Sequence, residues 1–366
     1  MPATAAAISL STRPGDAMSL AAQEFSDLLL FPEACYLKGC PGEGQKLIAV
    51  PDDCREEIAR LVQRLPEEFM RKRVDPLSLD DGILPSEASG PAPEAARGRS
   101  IRMEHEGLRY RVAAAQNVNG ELSYFLRRLP ETVPPLESLG LPDYLLKWLM
   151  EPPTMQGLVL ISGAQCCGKT TTASSLAVGR LARHGGHGLT LECPAELPVG
   201  GAWGEYGFCL QTEINSEREL ARQIEYAHRF SSPNVILIGE IRTKYAAVEA
   251  LRIAQGSNRQ VVIATVFGLD LLTALGTFLR GAKELDGESA GDKLANCLLC
   301  AIHQDLHSTE KGYVLRVPDF LLCPFTEDGD TIRRKIREGT LKALADDIKQ
   351  QKNRVAYPEW LTRAGD

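Results

Sequence analysis

Positive charge is the first thing this chain is short of. Its 366 residues carry 41 lysines and arginines against 48 aspartates and glutamates, a net charge of -7, whereas a protein that tracks a phosphate backbone ordinarily presents a basic face. An aromatic-plus-basic platform is also missing, and the two absences argue against direct nucleic-acid binding. A membrane-spanning run is lacking as well. The most apolar long stretch, Val261 to Leu279, is interrupted by Gly268, Asp270 and Gly276, and reads as a buried strand followed by a helix. No charged segment near the N-terminus leads into an uninterrupted apolar one, so no secretory signal is expected, and the expected location is cytoplasmic, with membrane contact only through partners. Internal repeats and sustained heptads are absent. Cysteine is not scarce, at ten. Several of these lie inside apolar runs, which in a reducing compartment makes them small buried hydrophobes rather than disulfide partners.

What is present centres on Gly163-Ala164-Gln165-Cys166-Cys167-Gly168-Lys169-Thr170, preceded by the apolar run Leu158 to Ile161 and followed by an Ala-rich stretch from Thr171 to Leu181. A strand entering a glycine loop that opens a helix is the arrangement that cradles phosphate, because loop amides and the helix N-terminus converge on one anion. Glycine at 163 and 168 lets the backbone curl where a Cβ would collide. Lys169 would reach the β- and γ-phosphates of ATP, and the Thr170 hydroxyl would join a Mg²⁺ shell, with Thr171 continuing the first helical turn.

The remainder is ordinary in composition, with 44% hydrophobic and 24% charged residues, and is long enough for two domains. Residues 1–20 read as a loose tail. Short strands around Phe25–Leu30 and Lys46–Val50 and a helix over Arg55–Leu65 suggest a small α+β domain over 21–132. A Pro-, Gly- and Ser-rich flexible insertion spans 83–100. Alternating segments Leu108–Val112 and Leu122–Arg128 around Asn117-Val-Asn-Gly120 predict a hairpin. A proline-marked linker, 133–141, leads to a helix over Pro142–Met150 and a domain over 142–366. In that domain strands at Gly188–Glu192, Val235–Ile238 and Val261–Thr265 alternate with helices around Glu217–Arg229 and Ala246–Gln255, which predicts an α/β fold with a mainly parallel sheet and helices on both faces. Beyond Asp286 the expectation is mostly helix, with a strand at Tyr313–Val317 and one charged helix from Thr331 to Lys352.

Hydrolysis of a phosphoanhydride also needs acids to hold the metal and orient water. Glu240 follows the apolar Val235–Ile238, and Glu192 ends the strand Leu189–Leu191; each stands where an open α/β sheet places ligands, or is a surface carboxylate at a strand end. Cys297, Cys300, His303 and His307 are spaced like a zinc set. Helical character from Leu294, Leu298, Ala301, Ile302 and Leu306 would string them along one rod, so core cysteines and surface histidines are the better reading.

In order along the chain these motifs resemble the hexameric ATPases of type IV pili and of type II and type IV secretion, most closely the PilT-like branch. Thr190-Leu-Glu192-Cys-Pro194-Ala-Glu196 resembles the family's aspartate box, and Ile236-Leu-Ile-Gly239-Glu240-Ile-Arg242 its Walker B segment. Leu108–Val112 with Phe125–Pro130 is similar to the end of its PAS-like N-terminal domain, Ser26-Asp27-Leu28 to that domain's start, and Thr331–Glu338 to a motif of retraction ATPases. The resemblance implies a RecA-like ATPase domain behind a smaller PAS-like domain, with Glu192 and Glu240 as catalytic acids and Thr170 and Glu240 on Mg²⁺. It further implies a six-subunit ring at the inner membrane on a platform protein, powering a pilus, secretion or conjugation apparatus. Arg109, Arg111 and Arg127 would reach a neighbour's phosphates; a solvated sheet surface is the other reading of them. Departures also occur: Thr265-Val-Phe267-Gly268 stands where the family has Thr-Leu-His-Thr, Cys193 and Thr243 stand at aspartate positions, and Thr212 at an arginine position. The four-cysteine zinc motif of pilus-assembly ATPases is missing. A nucleotide-binding adaptor or regulatory ring member with little hydrolysis is therefore the alternative expectation.

Overall fold

A computed structural model describes residues 19–71, 74–75, 96–97, 100–151, 155–214, 217–230, 232–256, 260–309 and 312–355. Nearly all of the expected tail and of the 83–100 insertion lies outside the described residues. The chain divides into two compact units, one reaching Leu129 and the other running from Pro130 onward.

In the first unit, strands β1 (Asp27–Leu30), β2 (Cys35–Lys38), β3 (Ile48–Ala49), β4 (Ile101–His105), β5 (Leu108–Gln116) and β6 (Leu122–Arg128) form one sheet in the order β3-β2-β1-β6-β5-β4. All its pairings are antiparallel. Helix α1 (Arg55–Arg71) buries Ile58, Leu61, Leu65 and Phe69, a stripe at helical spacing, in one cluster with Leu28, Leu37, Tyr110, Val112 and Leu126. The helix continues past Pro66 beyond the expected Leu65, because Phe69 prolongs that stripe. The β5–β6 hairpin closes where expected: Asn117 Oδ1 accepts from the amides of Asn119 and Glu121, both at 2.9 Å, and Gly120 takes a positive φ of 84°.

The second unit begins with α2 (Asp143–Met150) and holds strands β7 (Gly157–Gly163), β8 (Gly186–Glu192), β9 (Gly201–Trp203), β10 (Gly207–Glu213), β11 (Val235–Ile241), β12 (Val261–Phe267), β13 (Leu298–Thr309) and β14 (Gly312–Leu322). They build one eight-stranded sheet, order β9-β10-β8-β11-β12-β7-β13-β14, parallel from β10 to β13 and antiparallel at both edges. Its helices are α3 (Lys169–His184), α4 (Glu217–Phe230), α5 (Lys244–Gly256), α6 (Leu271–Asp286), α7 (Ser289–Cys297), α8 (Glu327–Arg337) and α9 (Leu344–Val355). Every residue of β7 is buried. Its side chains alternate between two apolar layers: Leu158 and Leu160 pack with α4 to α9, Val159 and Ile161 with α2 and α3. Helices thus cover both faces. Among the described residues no helix is long and apolar enough to cross a membrane.

Two expectations fail here. Leu298–Thr309 is strand, not helix. Its apolar positions mimic helical spacing because β13 pairs with β7 on one side and β14 on the other, and both of its faces are covered. The Thr331–Lys352 segment is two helices. Gly339, at φ 72°, ends α8 in the left-handed region while the Thr340 amide bonds back to the Lys335 carbonyl at 2.9 Å.

Arg333 of α8 is buried and ties these late elements together. It donates to the carbonyl oxygens of Ala295, Leu298 and Cys323 and lies 4.0 Å over the Phe325 ring. Substitution Arg333→Ala strands three buried acceptors, a cost of about 3 kcal/mol or more. Scanning calorimetry should show the transition of this unit lowered by roughly 6–12 °C; an unchanged transition would contradict the buried-tie role.

Candidate functional site

Strand β7 ends at Gly163, and α3 starts at Lys169 behind Gly168, whose φ is 85°. Cys166, at φ 62°, supplies a second left-handed residue between them. A Cβ on Gly163 would stand 2.4 Å from both the Gln304 carbonyl oxygen and Cys167 Sγ, so only glycine fits where β13 presses against the loop. The first amides of α3 have no partner within the helix and face the bend, which makes the loop an anion receptor by construction.

Lys169 is only 8% exposed. Its Nζ donates to the carbonyls of Gly163 at 3.0 Å and Ala164 at 2.7 Å, and lies 3.7 Å from Glu240 Oε1. Glu240 also takes Arg242 Nε and Nη2, each at 2.7 Å. Its position depends on a bulge: Ile238 pairs with Ala264 and Glu240 with Thr265, so Gly239 is the extra residue. Ile236, Ile238 and Ile241 all stay in the α4–α9 layer. Glu240 is thereby left on the side of α3 and its lysine.

Glu192, the last residue of β8, is 2% exposed. Its Oε2 accepts from Gln211 Nε2 at 3.1 Å, and that same nitrogen donates to the Leu197 carbonyl at 2.6 Å. The two acid-bearing strand ends touch, since a Cβ on Gly239 would lie 3.5 Å from Glu192 Cα. Burial, with the charge of Glu192 added, pushes the thiol of Cys209 up to about 12. Cys193 is exposed.

Phe267 ends β12 directly beside Gly163 and is 52% exposed. With Gln165, Glu240, Arg242, Lys244 and Arg280 it lines a cleft of about 660 Å³ next to the loop. Asp270 caps α6, accepting from Thr273 Oγ1 at 2.6 Å and its amide at 2.8 Å; these bonds hold its carboxyl below the usual range.

The structure thus brings together residues 163–171, Glu240 and Glu192. Arg109, Arg111 and Arg127 belong to the first unit, where Arg111 and Arg127 are cross-strand neighbours. Arg111 Nε donates to Ser100 Oγ at 2.9 Å, and Arg127 Nε to Asp27 Oδ1 at 3.0 Å. Cys297 and Cys300 are core residues, but His303 is buried rather than on the surface. Ser162 Oγ donates to the Ile302 carbonyl at 3.0 Å and contacts His303 Nδ1 at 3.1 Å. Among the described residues the grouping with ligand-like spacing is Glu57, His105 and Glu106. Arg64 Nη1 can only donate to His105 Nδ1, at 3.1 Å, which leaves the ring proton on Nε2 and removes the lone pair a metal would need.

Sequence reasoning missed Gln304 and put His303 on the surface. A polar pair inside an apolar run was the available signal.

No family model matches the chain. It is 30% identical over 225 residues to the uncharacterized protein YggR of Escherichia coli (strain K12), covering 57% of this chain and 64% of that protein. It is 30% identical over 279 residues to a twitching motility protein of Neisseria gonorrhoeae, covering 72% of this chain and 64% of the relative. The type IV pilus ATPase PilU of Pseudomonas aeruginosa matches over 149 residues at 29%, or 40% of this chain and 37% of PilU. The chain therefore spans less than two thirds of these curated relatives. Among solved structures, the pilus retraction motor PilT with bound ADP superposes with a TM-score of 0.65 at 21% identity, covering 90% of this chain and 87% of that one. The Legionella pneumophila ATPase DotB gives 0.61 at 20%, covering 88% and 84%. The fold and the loop define a phosphate-loop α/β protein. The chain belongs to the type II/type IV secretion traffic ATPase family, as a divergent member.

Proposed function

We propose that this chain binds and hydrolyses ATP as the motor subunit of a type IV pilus or secretion apparatus, working in the cytoplasm as a six-membered ring against an inner-membrane platform protein. The convergence of a buried lysine and two strand-end acids on one glycine loop carries the reading. Amides of residues 163–171 take the triphosphate, and Lys169 leaves its loop carbonyls for the β- and γ-oxygens. Thr170 and Glu240 would hold a divalent cation, because a hydroxyl and a carboxylate are hard oxygen donors and Glu240 loses its lysine neighbour once Lys169 turns to the phosphates. Mg²⁺ held there would neutralise phosphate charge. Glu192, held by Gln211, orients and deprotonates the attacking water. The first unit takes the part of the family's PAS-like domain, residues 21–132, and its Arg109, Arg111 and Arg127 serve the phosphates of a neighbouring subunit. Residues 142–366 form the RecA-like ATPase domain behind the 133–141 linker. The net charge of -7 supports a protein or membrane-complex partner over nucleic acid.

One observation favours a second reading, a ring member that binds nucleotide with little turnover. Phe267, beside Gly163, has no group that could bond phosphate or carry a proton. Phosphate release from Mg·ATP by the purified chain, with and without EDTA, separates the two. A motor shows steady turnover that chelation abolishes; nucleotide uptake without release supports the second reading, and no uptake refutes both.

A further inference from the structure

We propose that Gln304 is a positioning residue of this nucleotide site, fixing the direction of a phosphate-loop amide; the inference rests on the nucleotide reading above. Gln304 follows His303, the strand partner of Ser162, and is fully buried beside the loop. Its Nε2 donates to the Cys167 carbonyl at 2.7 Å. A trans peptide is planar and its C=O and N–H point in opposite directions. Pinning the Cys167 carbonyl toward β13 therefore turns the Gly168 N–H the other way, into the concave side of the bend. Gly168 is the residue immediately before α3, so this amide is the one that joins loop to helix. The backbone of the same glutamine closes the loop's other end, since its carbonyl leaves no room for a Cβ at Gly163.

Gln304 Oε1 has no hydrogen-bond partner although it is buried. Methionine would fill a similar volume without burying an orphan acceptor, so the bond to Cys167 is what the amide contributes. The opposite amide orientation would set Oε1 against the Cys167 oxygen and lose the bond. Gln260 provides an internal comparison. It is also buried, its Nε2 donates to the Pro233 carbonyl at 2.8 Å and its Oε1 is equally unpartnered, but it stands just before β12, at the end of the sheet away from the loop.

The test compares Gln304→Met, Gln304→Asn and Gln260→Met with the unaltered chain in calorimetric titration with Mg·ADP. Thiol labelling without nucleotide is read in a Cys166→Ser background by mass mapping of the loop peptide, so that labelling of the buried Cys167 is followed apart from exposed thiols such as Cys193 and reports loop order. Gln304→Met should raise the Kd roughly tenfold and speed Cys167 labelling severalfold, with Gln304→Asn between and Gln260→Met within about twofold of the unaltered chain. Unaltered affinity and labelling in Gln304→Met, or an equal affinity loss in Gln260→Met, would overturn the proposal. Should Gln304→Met not fold, undiminished affinity in Gln304→Asn overturns it equally. If the unaltered chain takes up no Mg·ADP, the nucleotide reading fails, and labelling alone decides whether Gln304 holds the loop.

Discussion

Lys169→Ala is expected to lower the affinity for Mg·ATP by roughly a hundredfold or more, a loss of about 3 kcal/mol or greater, and to remove phosphate release with it. The reason is local charge. A phosphate group entering the loop brings negative charge into a place where the lysine ammonium is nearly enclosed, and such a charge-assisted bond gains strength where water is excluded. Alanine also removes the lysine neighbour of Glu240 at 3.7 Å and leaves Arg242 to offset that carboxylate, so less positive charge faces the incoming anion. Lys169→Arg should not rescue binding, because a forked guanidinium is too large for a side chain tucked against the carbonyls of Gly163 and Ala164. Calorimetric titration measures both variants. Near-normal affinity in Lys169→Ala would remove the lysine from the site.

Glu192→Gln should have the second large effect, and a different one. Glutamine has the same shape and its carbonyl oxygen can still accept from Gln211, so the strand end keeps its geometry. What disappears is the base. Phosphate release should fall by roughly 10²–10⁴-fold, while the Kd for Mg·ATP stays within about threefold, because the substitution keeps the shape of the side chain and its bond from Gln211. An affinity loss matching the rate loss would mean that Glu192 shapes the binding site and leaves water activation to another group. Undiminished turnover would pass the role to Glu240.

The loop was legible in the sequence because its parts are contiguous: an apolar strand, two glycines, a lysine and a helix in the space of about thirty residues. The acids were legible as strand ends but not as directions. Counting by twos past Ile238 puts Glu240 in the same layer as Ile236 and Ile238, and only the bulge that absorbs Gly239 turns it toward α3. A bulge of one residue leaves no reliable mark in a single sequence beyond its glycine. Strand β13 was misread for a related reason. A strand covered on both faces shows no alternation, and Leu298, Ala301, Ile302 and Leu306 then match a helix as well as a strand. With β13 taken as helix, Gln304 and His303 lost their place beside the loop, since they reach it through lateral pairing across more than a hundred residues of chain.

Strand β7 has hydrogen-bonded neighbours on both flanks and no exposed residue. Such an element behaves as an anvil. In the motor proposed above, swapping a triphosphate for a diphosphate would hardly displace it, and a stroke would appear at the exposed residues that end and follow the neighbouring strand β12. There Phe267, the strand partner of Gly163, and Leu269 stand 52% and 75% in solvent. Force in the proposed motor would leave through this exposed edge, while the strand that leads into the phosphate loop stays still.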